Sequence, residues 1–441
     1  MKFGSSPLAK AIVVAGVALL LLIPVQMLRG LVLERAQLRE QAVASVSRGW
    51  GGRQLIGGPL LAIPTTFIAE DGHSVTRDWY VLAESLSLEA ELDVQDERRK
   101  LGVYEVPVYV TKLHAVAKFD VASKLVSVSA ARRSATVHLE RARLLIPVSD
   151  ARGVRDVKLN GAALVANFEP DRGFPIGTLG TPLPSDAGLD RNTATFDVTA
   201  QVAGTESLSF LPLARSTNVT LKGNWPDPGF SSGFLPAERT IANGRFQARW
   251  QLLDVNRAYG SHWLEGEMQP EPLQASAFGV DLVQPVDVYQ QAERSVKYAG
   301  LFIALSLLTM FLWEHLARRP LHPIQYGLMG LALSVFYLLL LALAEQIGFA
   351  LAYLAAAIAL CALLGVYLAG ALRSKKAGSG SAGAFAAVYG LLYLLVTSED
   401  YALLAGSLGL FAVLATVMLV TRRLDWYAPN ATVGEAVPAS R

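Results

Sequence analysis

Charge and cysteine are both scarce in this chain. Asp, Glu, Lys and Arg make up 17% of its 441 residues, and Cys361 is its single cysteine. Soluble globular domains carry about 25% charged residues. The shortfall is uneven, because charges crowd residues 29–297 and thin out afterwards. One cysteine excludes an intramolecular disulfide. Any part facing an oxidising compartment must therefore be held by an ordinary hydrophobic core, and the chain is long enough for one or two. A net charge of +2 speaks against a strongly acidic or basic partner and leaves no nucleic-acid patch. The histidines His73, His114, His138, His262, His315 and His322 show no H-E-x-x-H spacing and have no cysteine cluster beside them. No metal site and no cofactor are expected.

Apolar sequence is present in excess, at 52% of residues and a mean hydropathy of +0.36. A spanning helix needs about 20 apolar residues. Six spans are expected, at about 8–28, 298–316, 324–344, 347–371, 383–398 and 401–420. The first lies between Lys10 and Arg29. A cleaved signal peptide is its alternative, but the small-residue pattern Ala42-Val43-Ala44 sits far behind the apolar run, so the expectation is an uncleaved anchor. In the fifth, only Phe385–Val396 is continuously apolar, which leaves a re-entrant segment open. Charge placement supports six crossings. Lys2, Lys10, Arg318, Arg319, Arg373, Lys375, Lys376, Arg422 and Arg423 all fall on one side, while Glu345, Glu399 and Asp400 mark the other turns. By the positive-inside rule both termini are cytoplasmic.

The expected organisation is a cytoplasmic tip and anchor at 1–29, a β-rich domain at 30–297 with a helical stalk at 30–47, a five-helix membrane bundle at 298–427 and a cytoplasmic tail at 428–441. Period-two alternation predicts the strands. It runs through Leu86, Leu88, Ala90, Leu92 and Val94, then Val106, Val108 and Val110, then Ala115, Ala117, Phe119 and Val121. It returns at Ala194, Phe196, Val198, Ala200 and Val202, and at Phe246, Ala248, Trp250 and Leu252. Asp71-Gly72, Asn160-Gly161, Asn243-Gly244 and the Pro/Gly-rich stretch 171–188 punctuate them. The fold class is a membrane α-helical bundle plus an all-β, sandwich-like domain.

Catalytic motifs do not survive their context. Gly229-Phe230-Ser231-Ser232-Gly233 fits G-x-S-x-G but lacks the strand and helix of a nucleophile elbow, so it reads as a loop. Gly378-Ser379-Gly380-Ser381-Ala382-Gly383 fits G-x-G-x-x-G, yet it joins two membrane segments and reads as a flexible cytoplasmic linker. Glu314-His315 reads as interfacial. The sharpest candidates are Glu345, Glu399 and Asp400. If the hairpins pack together, these carboxylates share one patch able to bind a cation, hold a proton or contact the β domain; otherwise they are solvated turn residues. Gln325, Tyr326, Arg422, Asp425 and Trp426 are candidate interfacial residues. Aromatics such as Trp313, Tyr337, Tyr353, Tyr401 and Tyr427 are plentiful in this half, and those near span ends fit an aromatic belt. Gly365 and Ala369 permit close helix packing.

Long stretches resemble the CreD family of inner membrane proteins. They include Gly58–Pro64, Ser207–Leu213, Gly223–Pro226, Phe234–Pro236 and Phe278–Arg294, then His322–Tyr326, Glu345–Phe349, Ser398–Leu404 and Arg422–Tyr427. The resemblance implies a bacterial inner-membrane protein associated with cell-envelope integrity, and it brings no catalytic residue; with the charge placement above, the large domain is expected in the periplasm. Two readings of function follow. One is a non-enzymatic envelope protein whose β domain binds a periplasmic protein or an envelope polymer, with the lipid bilayer as the other partner. The other is a transporter or membrane enzyme acting on lipid-linked material through the acidic patch, since one anchor alone would tether a domain. Nothing in the sequence indicates the oligomeric state.

Overall fold

A computed structural model of the chain describes residues 7–68, 73–95, 99–101, 104–121, 135–163, 167–169, 174–183, 189, 193–230, 233–282, 288–317, 321–397 and 402–422. The chain divides into two compact units, Met1–Leu38 with Val286–Arg441, and Arg39–Pro285.

Two N-terminal helices, α1 (Pro7–Leu20) and α2 (Leu22–Trp50), are separated by one residue. Pro24 accounts for the break, because it has no N–H for the Leu20 carbonyl and its ring presses on that carbonyl. The helix continues to Trp50. It stops at Gly51, where φ is +121° and an added Cβ would lie 2.7 Å from the Ala203 carbonyl oxygen, so only glycine fits. The chain is then tied to the sheet. Ser47 Oγ lies 2.9 Å from Thr205 Oγ1, and Trp50 Nε1 donates to Tyr109 O at 3.2 Å. Gln54 Nε2 donates to Asp150 O and Ala203 O at 3.1 and 2.9 Å. Gly52 N donates to Asp150 Oδ2 at 2.9 Å.

The second unit is built on β-structure and shows, among the described residues, one sheet of 14 strands, one of four and a separate pair. The spine of the large sheet is the 21-residue strand Ser74–Val94. Its first half pairs with Leu60–Ile68, and its second half lies between Val108–Phe119 and the parallel strand Ala214–Gly223. Trp79, Val81 and Ala83 enter the larger core, whereas Tyr80 and Leu82 enter a second core on the opposite face. Beyond Ser85 the larger core takes Leu86, Leu88, Ala90, Leu92 and Val94. The core-facing residues thus switch from odd to even numbers, and the strand turns over near Glu84–Ser85. The four-stranded sheet joins Gln54–Gly57, Ser207–Leu211, Phe278–Leu282 and Pro228–Gly229, and Leu208, Phe210, Phe278 and Val280 complete the larger core. A short helix, α3 (Pro270–Ala275), buries Leu273 in the second core.

The alternating strands lie where expected, with two differences. In Val108–Phe119 the buried face is the odd one, from Tyr109 to Phe119, so Val110 lies on the open face. Thr178–Pro182, inside the stretch read as a connection, is a strand paired with Arg143–Pro147. Both Asn-Gly turns form, with φ of 48° and 80° at Asn160-Gly161 and of 52° and 70° at Asn243-Gly244. Asp71-Gly72, Ser231 and Ser232 lie outside the described residues.

The helical unit continues with α4 (Val288–Ala317), α5 (Pro323–Ile347), α6 (Phe349–Ala371), α7 (Lys375–Thr397) and α8 (Ala402–Thr421). Among the described residues, five stretches are long and apolar enough to cross a membrane: Ala11–Trp50, Val288–Leu312, Pro323–Ile347, Phe349–Ala371 and Lys375–Thr397. α8 has 20 residues and no charge. His322 opens α5 with its Nδ1 accepting from Ile324 N at 3.3 Å, while Gln325 Oε1 accepts from His322 N at 2.8 Å. The run 378–383 corrects the linker reading: it is the first part of α7. A Cβ on Gly378 would meet Ala369 Cβ at 2.4 Å and Gly365 O at 2.7 Å, so these small residues set the close approach of α6 and α7. The fifth expected span is accordingly a continuous 23-residue helix.

Asp150 gives the stalk junction a pH dependence. Its carboxylate is held below the usual range first by the Arg152 guanidinium, with help from the Gly52 and Arg152 backbone N–H groups and against its own burial. A depressed folded pKa means stability that is present above the unfolded value of about 3.9 and lost as pH falls through the folded one. Asp150→Asn should therefore lower the urea midpoint of the purified full chain at pH 7, and the gap to wild type should narrow at pH 3. Equal midpoints at both pH values would show that the carboxylate does not hold the junction.

Candidate functional site

Glu345 sits in the last turn of α5, where a carboxylate faces the negative end of the helix dipole. Two groups from other helices compensate. Tyr289 of α4 donates its hydroxyl to Glu345 Oε1 at 3.2 Å, and Arg35 of α2 brings Nε to 3.9 Å from the same oxygen. The Glu345 side chain is 12% exposed. It is thus partly enclosed and partnered rather than a freely solvated turn residue. Glu399 and Asp400 lie outside the described residues, as do Asp425 and Trp426.

The helical unit also holds a buried carboxylate. Glu314, near the end of α4, is 5% exposed, and Tyr326 in the first turn of α5 is fully buried. Tyr326 donates its hydroxyl to Glu314 Oε2 at 2.6 Å. The two residues face each other across the α4–α5 hairpin. Tyr337 and Tyr353 sit inside the bundle. They are buried beside Phe336, and Tyr353 donates to the Tyr389 carbonyl at 2.5 Å. Gln325 serves the α5 cap described above, and Arg422 is exposed after α8.

The β unit presents an open concavity. A groove of about 670 Å³ crosses the open face of the 14-stranded sheet, and it shares Glu91, Lys112 and Lys222 with a neighbouring hollow of about 520 Å³. Strand register explains its charge. One cross-strand row reads Asp156, Gln201, Lys112, Glu91, Lys222 and Gln247. The next reads Lys158, Thr199, His114, Glu89, Thr220 and Arg249. Signs alternate along each row, so neighbouring strands attract one another and the groove carries little net field. Val110 lines one side of it. At its end Asn224 bridges Asp93 and Val94, donating Nδ2 to Asp93 Oδ1 at 2.9 Å and accepting from Val94 N at 2.6 Å.

This architecture is accompanied by sequence similarity along almost the whole chain. A family model described as Inner membrane protein CreD matches residues 6–427. The chain belongs to the CreD family. The inner membrane protein CreD of Escherichia coli (strain K12) is 36% identical over 427 residues, which is 94% of this chain and 92% of that protein. CreD membership names a family of inner membrane proteins and assigns no chemistry to the carboxylates.

Arg35, Tyr289 and the Glu314–Tyr326 pairing went unread in the sequence. Arg35 and Glu345 are 310 positions apart, and only helix packing joins them. Glu314 and Tyr326 are 12 apart, which a tight hairpin with an acid and a tyrosine at its two shoulders could have signalled. In this CreD-family chain, a Glu314→Gln, Tyr326→Phe double-mutant cycle should give a coupling of about 0.5–3 kcal/mol in reversible unfolding in mixed micelles. Additive single-mutant effects would mean that the two groups do not act as a pair.

Proposed function

We propose that this chain is a non-enzymatic inner membrane protein that supports cell-envelope integrity. In this reading it has six spans and cytoplasmic termini, and its periplasmic β unit packs its two sheets as a sandwich. The groove of that unit binds an envelope partner, a protein or a polymer. The integrity role comes from the family resemblance. The observation that carries partner binding is the long groove with alternating charges, which suits a polar occupant of low net charge and offers hydrogen bonds along its whole length. Glu345 fits this reading as a packing contact, since its carboxylate is occupied by Tyr289 and Arg35.

A second reading draws on Glu314. A buried carboxylate in a helix bundle is costly and is usually functional in transporters and membrane enzymes. In that reading the chain acts on lipid-linked envelope material, through Glu314 together with the periplasmic-side acids Glu345, Glu399 and Asp400.

Complementation separates the two. In a strain lacking the gene, Lys112→Glu with Lys222→Glu should fail to reduce dye leakage through the envelope, while Glu345→Gln with Glu314→Gln should restore the barrier at equal abundance. The reverse pattern would move function into the helices. Orientation has its own test. With Cys361→Ala as background, Thr240→Cys should react with a membrane-impermeant maleimide in intact spheroplasts, and Ser379→Cys should react only after lysis. Labelling of Ser379→Cys in intact spheroplasts would invert the proposed topology.

A further inference from the structure

A buried guanidinium in the β unit has a free edge. Arg257 is 8% exposed. Its Nη1 is pinned by two backbone carbonyls, Tyr259 O at 2.7 Å and Gly260 O at 2.6 Å, and its Cζ sits 4.6 Å from the centre of the Tyr259 ring. That ring is itself held, its hydroxyl lying 3.3 Å from Pro212 O and 3.1 Å from Ser276 Oγ. The guanidinium plane is therefore fixed. Its other two nitrogens, Nε and Nη2, are buried with no hydrogen-bond partner. They form the side-on fork with which arginine grips the two oxygens of an oxyanion.

The rest of the chain shows what that fork normally meets. Arg152 places Nε and Nη2 at 2.8 Å each from the two carboxylate oxygens of Asp150. Arg143 is paired with Asp78. Arg257 has no such counterpart. The nearby Asp254 is engaged by Arg215 Nε at 3.4 Å and is itself 39% exposed. A second orphan donor lies close by. Trp263, whose ring is 6.4 Å from that of Tyr259, has a buried Nε1–H without an acceptor. Burial draws the Arg257 pKa below the usual arginine value. A positive charge held this way, with donors left over, is a cost that native interiors usually offset with a partner.

We infer that Arg257, seated on the Tyr259 ring that Trp263 also meets, is a binding site for the carboxylate of a ligand with an apolar stem. One formal charge and a two-pronged fork match a monoanionic carboxylate. A phosphate ester brings a second charge and a third oxygen that this donor set does not answer. The ring under Arg257 leans on apolar side chains, since Tyr259 packs against the second core, which includes Trp263, Leu273, Leu213 and Leu60. The free nitrogens are closed to solvent, so the ligand enters through a local opening of the surrounding loops, and binding is slow.

The test uses the purified full chain in nonionic detergent, equilibrated overnight with sodium butyrate, sodium phosphate or sodium chloride at equal ionic strength. Butyrate should raise the thermal midpoint saturably and quench tryptophan fluorescence, and phosphate and chloride should do neither. Arg257→Lys keeps the charge and loses the fork, so its half-maximal butyrate concentration should rise about tenfold or more. Arg257→Met should show no response. If Arg257→Met does not fold, the Arg257→Lys comparison alone decides. Equal responses to butyrate and chloride, or an unchanged response in Arg257→Lys, would overturn the site. A larger response to phosphate would overturn the carboxylate assignment.

Discussion

The strand Ser74–Val94 carries two cores at once. At Trp79–Ala83 both of its faces are covered, with odd residues in the larger core and even residues in the smaller. After Glu84 it has a dry face and a wet one, and the wet face becomes the floor of the groove through Glu89, Glu91 and Asp93. A period of two admits only these two outcomes, since shifting the register by one residue would put Leu88 and Leu92 in solvent and the carboxylates in the core. Both cores, the curl of the sheet and the charge of the groove thus depend on one turn-over between Ala83 and Leu86.

The helical unit obeys a different constraint. Leucine faces outward along much of it, as at Leu351, Leu354 and Leu363, so burial of apolar surface is not what brings its helices together. Close backbone approach at Gly365, Gly378 and Ala369 does that for α6 and α7, and interlocked aromatics at Phe336, Tyr353 and Tyr389 fill the space beyond. Polar groups inside such a bundle need partners from neighbouring helices. Glu314 finds Tyr326, and Glu345 finds Tyr289 and Arg35. These pairs hold helices to one another whatever further role the carboxylates have.

The two units therefore spend their polar residues differently. In the helices Glu314 and Glu345 are each tied to a specific hydroxyl, and Glu345 to a guanidinium as well. On the open sheet face charges alternate in rows and stay wet, available to an occupant. Arg257 belongs to neither pattern, being buried like the first group and lacking an acceptor on its fork.

What the sequence determined by itself was whatever short-range periodicity encodes. Five apolar stretches become long helices, Asn160-Gly161 and Asn243-Gly244 become hairpin turns, and the alternations at 194–202 and 246–252 become strands with the expected buried faces. Each of these depends on residues within a few positions of one another. Tertiary structure decided the rest. Val110 lies on the open face because the register with Asp93 puts it there, and Thr178–Pro182 is a strand because Arg143–Pro147 offers it a ladder. The glycine-serine run starts α7 because α6 presents Gly365 and Ala369 to it. The meeting of Arg35 with Glu345, the opposed rows of the groove and the unanswered fork of Arg257 arise from contacts between residues distant in the chain, and local pattern carries no information about those.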